Sequence, residues 1–251
     1  MERVRRGIEG MIDLLLPRVC MVCGGRLLRF EKHICISCAM DMPYTRFWQM
    51  SHNPMADRFN ELIQKDLEDE HEFYAYAAAL FLYHSEAGYR QIPYQIKYHG
   101  NIEAGEYFGR MLGEKLASES MWADVDVIIP VPLHWARKWK RGYNQAEVIA
   151  RAAAGSMGIP IRTDILMRHR RTRTQTKLDI EGKAKNVEDA FSVRPDAAAI
   201  FRNGGSIRHI VLIDDVFTTG STLHACFKAL RTVFPPHVRI SIATLAFVGG
   251  V

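Results

Sequence analysis

The run Ile210-Val211-Leu212-Ile213-Asp214-Asp215-Val216-Phe217-Thr218-Thr219-Gly220-Ser221-Thr222 constrains this chain more than any other stretch. Four successive apolar residues, three of them β-branched, describe a strand buried on both faces. Two carboxylates follow at its C-terminal end, which is where open α/β sheets place their ligands. A series of hydroxyl residues around one glycine then opens a helix that is expected over residues 225–233. Strand, acidic pair, hydroxyl loop and helix in that order call for a parallel sheet covered by helices.

The order also has chemical meaning. Backbone N–H groups at a helix N-terminus, together with the hydroxyls of Thr218, Thr219, Ser221 and Thr222, make a cradle for one phosphate. Gly220 allows the tight turn and the close approach of backbone to ligand. Carboxylates at Asp214 and Asp215 would repel that phosphate. They make sense as acceptors for neutral hydroxyls, such as the 2′ and 3′ groups of a ribose. A ribose 5-phosphate site is therefore expected here. A plain helix cap would need far fewer of these residues. Neither Gly-x-x-x-x-Gly-Lys-Ser/Thr nor a Gly-x-Gly-x-x-Gly after a strand occurs, so the common nucleotide-binding loops are excluded.

Elsewhere the pattern agrees with an α/β core. Strands are expected at 73–83, 125–131, 161–167, 190–193, 207–213 and 239–247, and helices at 88–99, 102–118 and 144–154, with Asn144 as a cap for the last. At 251 residues and 48% hydrophobic, the chain has room for one such core and a small accessory module. Residues 1–45 are read as an N-terminal helix and cysteine module, 46–72 as a linker or connecting helices, and 73–251 as the α/β domain. The start, Met1 to Leu16, places three arginines before an apolar run that Glu9 and Asp13 interrupt. That run is too short for a signal h-region or a membrane span, so a soluble, cytoplasmic protein is expected, without membrane insertion. A net charge of +5 suits an anionic partner, either a polyphosphate or a nucleic acid.

A second loop at a strand end is Ile129-Pro130-Val131-Pro132-Leu133-His134. In the loop Pro132–His134, backbone N–H groups from Leu133 onward could bind a pyrophosphate beside the phosphate cradle. The following Arg137-Lys138-Trp139-Lys140-Arg141 is either part of that site or a solvated basic turn. Trp135, Trp139 and Tyr143 could stack on nucleic-acid bases or equally belong to the core. The basic stretch from Arg168 to Leu178 is too long for a simple turn and reads as a lid or a solvated loop.

Four of the five cysteines form two pairs, Cys20-x-x-Cys23 and Cys35-x-x-Cys38, with eleven residues between them. Each pair can wrap a knuckle around a metal, and a closed set of four thiolates suits a structural Zn2+. Disulfides are the alternative, disfavoured without a secretion signal. His33 lies near enough to replace one cysteine. Cys226 reads as a small core residue.

The thirteen-residue run from Ile210 to Thr222 resembles the phosphoribosyl pyrophosphate motif of type I phosphoribosyltransferases throughout. That resemblance implies that Asp214 and Asp215 hold the ribose hydroxyls, that Thr218–Thr222 hold the 5-phosphate, and that the loop after the first core strand holds pyrophosphate. It also implies a flexible loop closing over the sugar. Adding the cysteines, Lys97-Tyr98-His99-Gly100, Pro130–His134 and Arg141-Gly142-Tyr143-Asn144-Gln145, the chain resembles the ComF (competence protein F) family over nearly its whole length. One departure is Lys183 and Lys185 before Asn186, where the family pattern leads one to expect an arginine. The resemblance implies phosphoribosyl pyrophosphate with Mg2+ as a ligand, and single-stranded DNA and DNA-uptake proteins as partners. Two expectations stand side by side. The chain either binds the sugar phosphate in the service of DNA handling, or transfers ribose 5-phosphate to a nucleobase or amine. Glutamine use is not expected, because Glu2 follows Met1 and no glutaminase half is visible.

Overall fold

The computed structural model describes residues 17–66, 72–83, 88–169, 190–197 and 207–249. The expected N-terminal helix at 1–16, the stretch 170–178 of the expected lid, and Lys183, Lys185 and Asn186 lie outside the described residues.

The core is a four-stranded parallel sheet in the order β1-β6-β5-β2. Its strands are β1 (Ala77–Leu82), β2 (Val127–Pro130), β5 (His209–Phe217) and β6 (Arg239–Phe247). The uninterrupted apolar run of β5 is explained by its two buried faces. Ile210 and Leu212 pack into one core, while Val211 and Ile213 pack into the other. After the short α1 (Ile36–Met40), helices α2 (Pro54–Asp66) and α7 (Ser221–Arg231) cover the first face. Helices α4 (Ile102–Ala117) and α6 (Gln145–Met157) cover the second. Between α2 and α4 lies α3 (Gln91–Tyr98), and α5 (Trp135–Arg141) follows β2.

Helices α4 and α6 approach closely along a seam of small residues. A Cβ on Gly109 would stand 2.6 Å from the Ile149 carbonyl oxygen, and one on Gly113 would stand 2.5 Å from that of Ala153. The four-residue spacing of Gly105, Gly109 and Gly113 puts all three on one helix face. Leu112 and Leu116 are fully buried, as their periodicity predicts.

Two features differ from the sequence reading. Residues 46–72, expected as a linker or connecting helices, include α2 and are more than a connection: Phe47, Met55, Phe59 and Ile63 enter the first core and Trp48 the second. Their amphipathic spacing is hidden by the mixed charges on the exposed face of α2. Next, the stretch expected as a strand at 161–167 joins the parallel sheet only through a bridge from Ile161 to Ile128. A charged turn follows, in which both nitrogens of the Arg162 fork bond Asp164 at 2.9 and 2.8 Å. Beyond it β3 (Leu166–Arg168) pairs antiparallel with β4 (Phe191–Val193), apart from the main sheet.

Candidate functional site

Strand β5 runs four residues past Ile213 and carries the acidic pair within it. Asp214 is paired in register with Thr244 of β6. Side chains alternate along a strand, so the neighbouring acids leave it on opposite sides. Asp215 is buried at 5% exposure, Asp214 is half-buried, and the Asp215 N–H donates to Asp214 Oδ1 at 2.9 Å. Burial and the adjacent Asp215 charge push the Asp214 carboxyl up to about 7, against the pull of Lys97 and Arg168.

Lys97, near the end of α3, places Nζ 2.9 Å from Asp215 Oδ2. Burial alone would lower the Lys97 ammonium's pKa; the Asp215 carboxylate outweighs it and the net shift is upward. In the sequence Lys97 stands within Lys97-Tyr98-His99-Gly100, with nothing near it to mark a role. Its partner lies far along the chain, so no local spacing could have revealed the pair.

The loop after β5 brings the hydroxyl residues together. Thr218 and Thr219 are exposed, and Ser221 and Thr222 are half-buried. Gly220 takes the N-cap position of α7 with φ 84°, a conformation that favours glycine. A Cβ there would stand 2.7 Å from the Phe217 ring. Thr219 Oγ1 lies 2.9 Å from Ser221 Oγ and accepts the Ser221 N–H at 3.4 Å. Two hydroxyls and the first-turn amides thus converge at the start of a helix whose dipole favours an anion.

The register carries the second loop to the same end of the sheet. Pro130 pairs with Ile213, and the Val131 N–H donates to the Ile213 carbonyl at 2.9 Å. Pro132 and Leu133 follow, half-buried, and His134 is buried with Nδ1 accepting the Ala136 N–H at 3.2 Å. That ring therefore caps α5. Asn144 anchors the far side of the loop, donating to the Val131 carbonyl at 3.0 Å while capping α6 through the Ala146 N–H. Asp214, Asp215, Thr218–Thr222 and Pro132–His134 therefore lie at the same end of the sheet. The basic segment lies beside them, with Arg141 over the Tyr98 ring at 5.4 Å. Trp135 and Trp139 are 72% and 88% exposed, so neither belongs to the core. Cys226 is fully buried, as expected of a core residue.

At the other end of the chain, the ligand atoms of Cys20, Cys23, Cys35 and Cys38 all lie within 4.8 Å of one another. Four sulfurs held about 2.3 Å from one tetrahedral ion lie about 3.8 Å apart. The Cys23 and Cys35 sulfurs are separated by 3.8 Å. Backbone N–H groups of Gly25, Cys35 and Cys38 point at the sulfurs of Cys23, Cys20 and Cys35 at 3.4, 3.4 and 3.5 Å. Burial raises the Cys20 thiol, but hydrogen bonds from Cys23, Cys35 and Val22 bring it down to about 7, favouring the thiolate that a metal needs. The donor set and its spacing fit a structural metal ion. His33 is not part of the set; its ring rests against Tyr107 of α4 with centroids 5.3 Å apart.

No family model matches the chain. Competence protein F of Haemophilus influenzae is 36% identical over 115 residues, 46% of this chain and 48% of that protein. DNA utilization protein YhgH of Salmonella typhimurium is 29% identical over 135 residues, 53% of this chain and 56% of that protein. The match thus spans about half the length of these curated relatives. Among solved structures, glutamine phosphoribosylpyrophosphate amidotransferase from B. subtilis, complexed with ADP and GMP, aligns with a TM-score of 0.34 and 22% identity, covering 55% of this chain and 26% of that one. So distant a likeness carries no argument here.

Proposed function

We propose, on the premise that this chain belongs with the ComF family, that it binds phosphoribosyl pyrophosphate and acts in the uptake or use of DNA. The observation that carries this reading is the meeting of an acidic pair, a hydroxyl loop at a helix start and a second loop at one end of a parallel sheet. Asp214 and Asp215 accept hydrogen bonds from the ribose hydroxyls. Thr218, Thr219, Ser221 and Thr222 donate to the 5-phosphate, and Gly220 keeps the backbone close. Amides of the Pro132–His134 loop meet the pyrophosphate. Zn2+ is held by Cys20, Cys23, Cys35 and Cys38, where it supplies a structural cross-link. Mg2+ would be carried on the pyrophosphate itself, as a hard cation that prefers phosphate and water oxygens. No helix among the described residues is long and apolar enough to cross a membrane, and a cytoplasmic location suits both proposed ligands.

Exposed Trp135 and Trp139, interleaved with Lys138, Lys140 and Arg141, favour single-stranded DNA as the nucleic-acid partner. Bases stack on such rings at about 1–3 kcal/mol each while cations follow the phosphates. Quenching of tryptophan fluorescence by an oligonucleotide, weakened by salt, is the expected result; an unchanged signal contradicts this assignment.

Calorimetric titration with phosphoribosyl pyrophosphate tests the sugar site. The intact chain should bind, and Asp214→Asn combined with Asp215→Asn should abolish binding without unfolding the protein. Full binding by that double variant would overturn the reading.

A further inference from the structure

The acidic pair already has a cation, and it comes from the protein. Lys97 reaches Asp215 Oδ2 at 2.9 Å with only 6% of the Asp215 side chain exposed, so water screens this ion pair little. Helix α3 is fixed at both ends to bring it there. At its start, the Tyr89 hydroxyl donates to the Cys38 carbonyl at 2.9 Å, and Gly88 lies so near Val22 that a Cβ would stand 2.3 Å from the Val22 carbonyl oxygen. At its end, the Tyr143 hydroxyl donates to the Ile96 carbonyl. A flexible surface lysine would meet a carboxylate in many geometries. This one is held by the cysteine module on one side and by the loop before α6 on the other.

We infer that Lys97 is a positioning residue of the sugar site, acting as the protein's own counter-ion for Asp214 and Asp215, so that the pair accepts ribose hydroxyls without a divalent cation bound to the carboxylates. The inference rests on the sugar-site reading and adds a ligand class to it. Ribose 5-phosphate, which lacks the pyrophosphate that would carry magnesium, should bind unaided by metal.

Other charged and titratable groups also face the pair. Arg168 comes from β3, and Cys226 lies on α7 close enough for the Asp214 charge to raise its pKa. Arg168 is itself disfavoured by burial and by the Arg137 charge. Lys97 makes a direct ion pair with Asp215 at 2.9 Å. Without it, two adjacent carboxylates would share a low-dielectric site and Asp214 would hold its proton to higher pH. A protonated carboxyl is a poor acceptor for a sugar hydroxyl, so affinity at neutral pH would fall.

The test uses the full zinc-loaded chain, with carbon-13 NMR of its aspartate carboxyls and calorimetry with ribose 5-phosphate in the presence of a magnesium chelator. The wild-type chain should bind ribose 5-phosphate. Lys97→Met should move the Asp214 titration to higher pH and weaken ribose 5-phosphate about tenfold at pH 7, as loss of one charge-assisted hydrogen bond would. That deficit should shrink as pH rises, and Lys97→Arg should restore both readouts. An unshifted Asp214 titration in Lys97→Met overturns the inference, as does an affinity deficit that pH does not alter. Should that variant fail to fold, Asp215→Asn decides through the Lys97 side-chain resonances. They should shift clearly if the pair exists, and their constancy overturns it. Wild-type protein that binds phosphoribosyl pyrophosphate with magnesium but not ribose 5-phosphate in the chelator also overturns the inference, whereas failure to bind either ligand refutes the sugar-site reading.

Discussion

In the cysteine module all four ligands come from one stretch of nineteen residues, Cys20 to Cys38, whereas the acidic site gathers Lys97, Pro132–His134 and Asp214–Thr222 from distant segments. The two regions are also held together differently. Few side chains of the module are buried beyond Cys20, Leu27, Ile34 and Met42, while Leu28, Phe30, Ile36 and Met40 stay exposed. Glu31 supplements this thin core, accepting the N–H groups of Leu28 and Ile36 at 2.5 and 2.7 Å. Around the acids, by contrast, β5 is buried on both faces and needs no ion to hold its register. A small unit with a thin core depends on its metal, and a site on a central strand depends on the sheet.

The largest expected effect follows from removing the metal. Structural zinc supplies on the order of 10 kcal/mol to small modules. Cys20→Ser should release zinc and expose residues 17–42 to rapid hydrogen exchange while β5 and β6 stay protected. Unchanged zinc content, or equal loss of protection in the sheet, would break the comparison.

A smaller effect is expected where the two regions touch. Gly88→Val drives a side chain into the Val22 backbone, and overpacking of this kind costs about 1–3 kcal/mol. Thermal denaturation should show that loss, and the Lys97–Asp215 pair should loosen with it. A variant as stable as the parent would mean that the module merely sits beside α3.

A further effect concerns the acids alone. Asp214 is pushed up to about 7 in the fold, so the folded chain holds this proton more tightly than the unfolded chain does. Its contribution to stability is therefore greatest below the ordinary carboxylate range and is lost as pH rises toward 7. Asp214→Asn should flatten that slope and gain stability relative to the parent at pH 8 compared with pH 4.5. Denaturant midpoints at the two pH values check this, and parallel pH profiles would contradict it.

The comparison also explains what could be read from the sequence. Cys-x-x-Cys spacing and the run from Ile210 to Thr222 are local patterns, so the clustered thiols and the adjacency of acids to hydroxyl loop were both legible. Strand β6 was legible to its ends, because Ser241 and Thr244 are small enough to sit within a continuous run of apolar and β-branched residues. The reach of β5 to Phe217 was not, since two acids inside a strand look like its end. Lys97 and the contribution of Phe59 and Ile63 to the core depend on what the folded chain brings nearby. Exposure of Trp139 has the same origin: an aromatic in a basic run reads alike on either side of a surface.

The central claim is that a sugar phosphate sits between the acids and the hydroxyl loop. Amide hydrogen exchange of the intact chain, with and without phosphoribosyl pyrophosphate and magnesium, tests it most directly. Slower exchange confined to residues 131–134 and 215–223, with the cysteine module unchanged, is the predicted result. Unaltered exchange in both segments, or protection confined to the cysteine module, would contradict it.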